Sequence, residues 1–448
     1  MAPPRIAFYG DDFTGSTDTL ASLALAGQRT LLFLGVPTRA EIAAAGPLDA
    51  IGIAGTARAM TPAEMDAALP DAFRRLAESG AAILHYKCCS TFDSAPAIGS
   101  LGHAVAIARR TLGPCFVPIV GGQPNLGRYC VFANLFASAG LGGPMHRIDR
   151  HPTMSRHPVT PMGEADLRRH LAAQGLADVV SFDAPMLDAG AEAASKRLEA
   201  MLAAAPDAVL FDIAGTQHLA PVGRLIAAQA GRGRVFALGP TGVELALLAH
   251  WRGAGEAPPP VEALRRAPVD RVFIVSGSLS PVTAAQLRTA ESAGFAVLPV
   301  DPRRLAAAAA GGAHAETIAR DAAALLRAGR SVIASTSAAP GGAASAAAMA
   351  AADGERFGRR LATGCGILLE QVLAQVPLQR VGVAGGDTSS LAVAKLPIRA
   401  LSFGHALSDG AALCRAHAPG TPLDGLEIML KGGQMGPPDV FLRLRAGG

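Results

Sequence analysis

The stretch Arg5-Ile-Ala-Phe-Tyr-Gly-Asp-Asp-Phe-Thr-Gly-Ser-Thr-Asp18 runs an apolar strand straight into two adjacent carboxylates, then into a Gly/Ser/Thr turn that opens a helix. Open α/β sheets bind ligands just past the carboxyl ends of their strands, which is where Asp11, Asp12, Thr14 and Ser16 stand. Two carboxylates there can hold a hydroxyl, ligate a metal or accept a proton, whereas a helix N-cap needs only one of them. The competing reading is that Asp11 or Asp12 is simply that cap.

Working outward, apolar runs of strand length alternate with Ala/Leu-rich segments of helix length. They fall at 31–34, 50–54, 81–86, 115–120, 179–182, 208–213 and 235–238. Such alternation predicts βαβ units and a mainly parallel sheet. Gly253-Ala-Gly-Glu-Ala-Pro-Pro-Pro260 interrupts it with linker chemistry, and strands resume near 271–275, 296–300, 332–335, 381–384, 400–403 and 426–430. The expected architecture is α/β in two domains, 1–255 and 256–448, each a mainly parallel sheet flanked by helices, with the active site in the interdomain cleft. At 448 residues the chain exceeds what one core organises. The Ala/Gly/Ser stretch 338–354 has few large side chains and is expected to be an exposed excursion of the second domain.

The formal charge of +4 is small for this length, its 40 basic residues are scattered and aromatics make up 4%, which argues against a nucleic-acid surface. A small anionic substrate suits the mild positive balance better. The first fifteen residues read as neither signal nor transit peptide, and no run approaches a membrane span, so a cytoplasmic chain is expected. Cys88, Cys89, Cys115, Cys130, Cys365 and Cys414 form no CxxC pair and no zinc spacing; they are expected to be reduced core residues.

In the second half, three small-residue turns each follow a predicted strand: Val275-Ser-Gly-Ser-Leu-Ser280, Gly385-Gly-Asp-Thr-Ser-Ser390 and Lys431-Gly-Gly-Gln-Met-Gly436. Glycine lets backbone approach a phosphate, and hydroxyls with helix N-termini supply donors. Any one alone is a structural commonplace; three on successive strand ends favour nucleotide binding. GxxxxGK[ST] does not occur, and no GxGxxG follows a strand.

The first half offers groups suited to a polyhydroxylated acid. His85-Tyr-Lys-Cys-Cys-Ser-Thr-Phe-Asp-Ser94 presents Lys87, Ser90, Thr91 and Asp93 in a short arc, Lys87 being a point charge for a carboxylate or phosphate. Further along stand Asn125, Arg128, Arg156, His157 and Thr160. An arginine fork can hold a carboxylate bidentately, although either arginine could be a solvated surface charge. His157, ahead of a proline, reads as a loop hydrogen-bonder rather than a base.

Together these segments resemble the four-carbon acid sugar kinase family. Tyr9-Gly-Asp-Asp-Phe-Thr-Gly-Ser-Thr-Asp18, Lys87-Cys-Cys-Ser-Thr-Phe-Asp-Ser94, Arg156-His-Pro-Val-Thr-Pro-Met162, Ser276-Gly-Ser-Leu-Ser280, Gly385-Gly-Asp-Thr388 and Lys431-Gly-Gly-Gln-Met-Gly436 occur in the family's order across nearly the whole chain. The resemblance implies an N-terminal acid-sugar domain, a C-terminal ATP domain and phosphorylation of a sugar acid's terminal hydroxyl. The Lys87 and His157 segments look like the 3-oxo-tetronate kinase branch. Asn125-Leu-Gly-Arg-Tyr-Cys-Val-Phe132 departs from that branch's pattern, which leaves 3-oxo-isoapionate, threonate or erythronate as alternatives.

The expected cofactors are ATP and Mg²⁺ bridging its phosphates. Ser276, Gly277, Ser278, Gly385, Gly386, Asp387, Thr388, Gly432 and Gly433 are expected to hold ATP. Asp11, Asp12, Lys87, Ser90, Thr91, Asp93, Arg128, Arg156 and His157 are expected to hold the acid. Asp12 is the expected proton acceptor and Asp387 serves the metal or phosphate side, or the two exchange roles. The partners expected are the small-molecule acid sugar and ATP, with no nucleic acid and no membrane; a homodimer is left open. Two readings of other classes stand beside this one: a non-catalytic sugar-acid binding protein, and a lyase using Lys87 as a Schiff-base amine.

Overall fold

Ile6–Gly10 is buried along its whole length, as a strand covered by helices on both faces must be. The computed structural model describes residues 3–140, 142–157, 159–261, 265–308, 313–339 and 341–448, without the side chains of 342–356, 386–388 and 390. The chain divides into two compact units, Met1–Asp11 with Ser22–Glu262 and Asp12–Ala21 with Ala263–Gly448.

In the first unit, eight strands lie in the order Thr30–Phe33, Ala50–Ala54, Ile6–Gly10, Ile83–Lys87, Val235–Gly239, Pro118–Val120, Ala208–Phe211, Val179–Phe182. Every neighbouring pair is parallel. Helix Pro62–Glu78 starts at a capping box, Thr61 with Glu64, and buries Met65, Leu69, Phe73 and Leu76 along one face. Phe73 meets Tyr9, Tyr86 and Phe236 edge to face, tying the helix to three neighbouring strands. At Gly52 a Cβ would fall 2.2 Å from the Phe8 ring, so only glycine leaves that ring its place.

A three-stranded antiparallel sheet, Arg128–Val131, Asn134–Ser138 and Met145–Arg147, was not foreseen. Its first turn puts Phe132 and Ala133 at positive φ, 48° and 63°, where glycine or asparagine is usual. The buried Asp212 carboxylate holds that turn, accepting from Phe132 N at 2.7 Å and Ala133 N at 3.0 Å. Burial raises its pKa, and those backbone donors work the other way.

The second unit orders its strands Ala296–Pro299, Val332–Ser335, Phe273–Ser276, Arg380–Ala384, Glu427–Lys431, Ala411–His417, Ala400–Ser408. The first five are parallel and the last two run antiparallel, a hairpin that the apolar runs did not distinguish from crossover strands. Ile274, Leu287, Phe295, Ile333, Met429 and Phe441 belong to its core. The backbone of the Ala/Gly/Ser stretch runs into the 34-residue helix Gly342–Gln375, alanine being the strongest helix former, and the expectation that it is exposed falls on side chains outside the described residues. Its residue 340 and the side chains of its first turns lie outside the described residues. All six cysteines are free thiols, four buried and two, Cys89 and Cys115, half-buried rather than in the core.

Candidate functional site

In the first unit three strands end side by side, Gly10 in register with Ala54 and with Lys87. The loops that follow therefore emerge together, as the parallel arrangement requires. Asp11 N donates to Lys87 O at 2.9 Å, and Arg58 NH2 donates to Asp11 Oδ1 at 2.8 Å with both side chains largely buried. Lys87 is buried, its Nζ donating to Cys88 O at 2.8 Å. Thr91 Oγ1 donates to Asp93 Oδ1 at 2.6 Å and lies 2.9 Å from Cys89 Sγ. Burial works against the Asp93 carboxylate, yet Arg58, then His157 and the Cys89 and Thr91 hydrogen bonds, hold it below the ordinary carboxylate range. Burial, with Asp93 alongside, pushes the Cys89 thiol up to about 12, which keeps it un-ionised.

Arg128 turns NH1 onto backbone, donating to Leu126 O at 2.9 Å and Ser138 O at 3.2 Å, while its buried Nε has no hydrogen-bond partner. Burial lowers its pKa, against the pull of Cys89 and Asp93. His157 Nδ1 accepts from Thr160 N at 3.1 Å, which leaves the proton on Nε2 in the neutral ring. Thus Arg58 pairs with Asp11, Asp93 is within the electrostatic reach of Arg58 and His157 and Arg128 within that of Asp93, while Lys87, Thr91 and the half-buried Ser90 stand on the same strand end and loop. Arg156 is exposed and does not join them. Pro158, inside the segment quoted with it, lies outside the described residues. Arg58 escaped the sequence reading; its one signal was an arginine in the turn after the fully buried strand Ala50–Ala54.

Asp12 caps helix Phe13–Leu25: Gly15 N donates to Oδ1 at 2.9 Å and Thr14 Oγ1 to Oδ2 at 2.6 Å.

In the second unit the three small-residue turns begin on adjacent strand ends, Ser276 in register with Ala384 and Ala384 with Lys431. Gly277 N donates to Ala384 O at 3.1 Å and Gly385 N to Lys431 O at 2.9 Å, stitching the turns to one another. Ser280 caps helix Pro281–Ser292 through Val282 N. The Thr283 hydroxyl reaches Gly433 O at 2.9 Å and Ser278 Oγ at 3.0 Å, and Gln286 Nε2 donates to the Met435, Gly436 and Pro437 carbonyls at 2.9–3.1 Å. A Cβ on Gly433 would fall 2.6 Å from Ser278 Oγ, and Gly385 sits at φ +126°, so both positions suit glycine. Helix Gly386–Val393 follows; the side chains of Asp387 and Thr388 lie outside the described residues.

Two features here suit an anion. Among the described residues the buried Ser276 Oγ has no hydrogen-bond partner, and the buried Lys431 has its ammonium pulled down to about 7 by burial. Phosphate oxygens would satisfy both, so this donor set fits a nucleotide. Among the described residues no group of three or more His, Cys, Asp or Glu side chains is placed to hold a metal ion by itself. Mg²⁺ commonly needs only one or two carboxylates beside substrate phosphates.

Family models match both units: the sugar-binding N-terminal domain over residues 6–247 and the nucleotide-binding C-terminal domain over residues 273–441. The chain is 42% identical over 447 residues to a 3-oxo-isoapionate kinase of Paraburkholderia graminis, covering 99% of this chain and 94% of that protein. It is 30% identical to a 3-oxo-tetronate kinase of Methylobacterium radiotolerans, covering 97% and 96%. Among solved structures, a Salmonella typhimurium LT2 protein described as a candidate tRNA synthase superposes with TM-score 0.73 at 24% identity, covering 99% of this chain and 98% of that one. A Haemophilus influenzae protein gives 0.69 at 21%, covering 98% and 99%; both show the fold. No helix among the described residues is long and apolar enough to cross a membrane. The chain belongs to the four-carbon acid sugar kinase family, a family of ATP-dependent sugar-acid kinases.

Proposed function

We propose that this kinase transfers the γ-phosphoryl group of ATP to the terminal hydroxyl of 3-oxo-isoapionate. The 42% identity over 99% of the chain to a kinase of that name carries the substrate choice. The departure at Asn125-Leu-Gly-Arg128 from the 3-oxo-tetronate branch favours the same branched acid over 3-oxo-tetronate, the first expectation. Arg58 and Arg128, with Lys87, bring basic side chains among the carboxylates of this site, and such groups suit the substrate's carboxylate. Thr91 and Ser90 offer hydroxyls to its own hydroxyl groups.

Asp12 accepts the attacking hydroxyl's proton, the new P–O bond forms as the bond to ADP breaks, and Asp387 serves the phosphate side. The turns at Ser276–Ser278, Gly385–Thr388 and Gly432–Gly433 hold the nucleotide. Mg²⁺, brought on the phosphates, supplies charge neutralisation. ADP release over 3-oxo-isoapionate, 3-oxo-tetronate, threonate and erythronate tests the assignment. The highest kcat/KM is expected for 3-oxo-isoapionate; a tenfold preference for any other acid overturns the substrate choice, and turnover of none overturns the reading.

A further inference from the structure

Lys431 closes strand Glu427–Lys431, and its side chain is fully buried. Its Nζ donates to Gly432 O at 2.8 Å and reaches Thr283 Oγ1 at 3.4 Å, both neutral oxygens. Among the described residues, the charged groups on the elements around it form no ion pair with it. Arg288 and Glu291 are exposed on helix Pro281–Ser292. Arg380 and Glu427 pair with each other at the opposite ends of their strands, 2.8 Å apart at Nε. Asp439 pairs with Arg443. The antiparallel hairpin carries His405, Asp409 and Arg415, and burial depresses the Lys431 ammonium. Asp387 opens the helix after the neighbouring strand, its side chain outside the described residues.

A buried ammonium without a counter-ion is unfavourable unless something arrives to pair with it. What surrounds it is phosphate chemistry: the backbone of Gly432 and Gly433, the Thr283 hydroxyl bridging to Gly433 O and, two strands over, the unpartnered Ser276 hydroxyl. The sequence motif had been read for its glycines, not for its lysine.

We propose that Lys431 contacts the phosphates of the bound nucleotide and that binding draws a proton onto its Nζ. This rests on the second unit being the ATP site. With the free protein's amine titrating at about 7, roughly nine in ten molecules carry it neutral at pH 8, and phosphate oxygens beside it favour the charged form. ATP binding therefore takes up about 0.9 proton at pH 8 and about 0.1 at pH 6. Above about pH 7.5 the nucleotide's own terminal phosphate is already ionised and does not contribute. The sign follows: affinity falls as pH rises above 7, by up to about tenfold per unit for one linked proton.

Calorimetry of ATP binding to the full chain at pH 8, in two buffers of different ionisation enthalpy, tests it with wild type, Lys431→Met and Lys431→Arg. The expected result is about 0.9 proton taken up by wild type and none by either variant. Lys431→Met should bind about tenfold or more weakly, its apolar side chain suiting the buried position, and Lys431→Arg should keep more affinity because its charge is permanent. Equal heats in both buffers for wild type that binds ATP overturn the proposal, as does unchanged proton uptake in Lys431→Met. Wild type that binds no ATP overturns the nucleotide assignment beneath it.

Discussion

Arg58 is the cation on which the acid-sugar cluster turns, since it pairs with Asp11 and holds Asp93 ionised. Arg58→Met should raise KM for the acid about tenfold or more, through loss of a charge-assisted contact, and leave the Kd of ATP unchanged. Steady-state kinetics with each substrate varied in turn measures the difference. A pH effect accompanies it. In the folded chain Asp93 titrates below its unfolded value, so its contribution to stability is present above about pH 4 and fades as pH falls through the depressed value. Without Arg58 that fading should begin at higher pH, visible in urea melts between about pH 3 and 5. Asp12 raises a different question, because the side chain proposed as the base also caps a helix. Asparagine and serine both cap well, so Asp12→Asn and Asp12→Ser should keep the helix and still lower turnover by about 100-fold. Near-wild-type turnover in both variants removes Asp12 from the chemistry.

Among the elements, the turn after strand Glu427–Lys431 is fastened by one helix: Thr283 holds Gly433 O, and Gln286 holds three carbonyls beyond it. A turn held by four contacts from one neighbour keeps its backbone shape, and that shape presents N–H groups to a phosphate. Gly433→Val would push a branched side chain into Ser278, whose hydroxyl is engaged with Ser280 N and Thr283. ATP affinity should fall about tenfold or more while KM for the acid stays within about twofold. Titration calorimetry with ATP reads the first arm and kinetics under saturating ATP the second. The reverse pattern would mean the two units have exchanged roles.

For the whole molecule, each ligand should leave its mark on a different part of the chain. A ligand at about 100 times its Kd stabilises the state that binds it by about 2.7 kcal/mol. Hydrogen exchange should therefore slow over 276–283 and 431–436 when ATP is added, and over 55–58 and 87–94 when the acid is added. Protection of 87–94 by ATP alone would contradict the division of labour.

The strands were legible because parallel strands buried on both faces must be written as continuous apolar runs, and Ile6–Gly10, Ala50–Ala54 and Val332–Ser335 are such runs. The glycine turns were legible too, since close backbone approach admits little else, and the order of the short motifs along the chain pointed to the family. The hairpin turn at Phe132–Ala133 was not, because neither residue favours positive φ and the carboxylate that holds them there comes from Asp212, 80 residues away. Arg58 and Lys431 were hidden for the same reason. An arginine after a strand or a lysine before two glycines has no assigned role until strand register sets Asp11 beside one and Thr283 beside the other. Sequence alone determined the backbone of the continuous apolar strands and the glycine turns, a choice made by neighbours within a few residues. Tertiary structure alone decided which charges are buried and what faces them, because burial and pairing depend on groups brought together from distant parts of the chain.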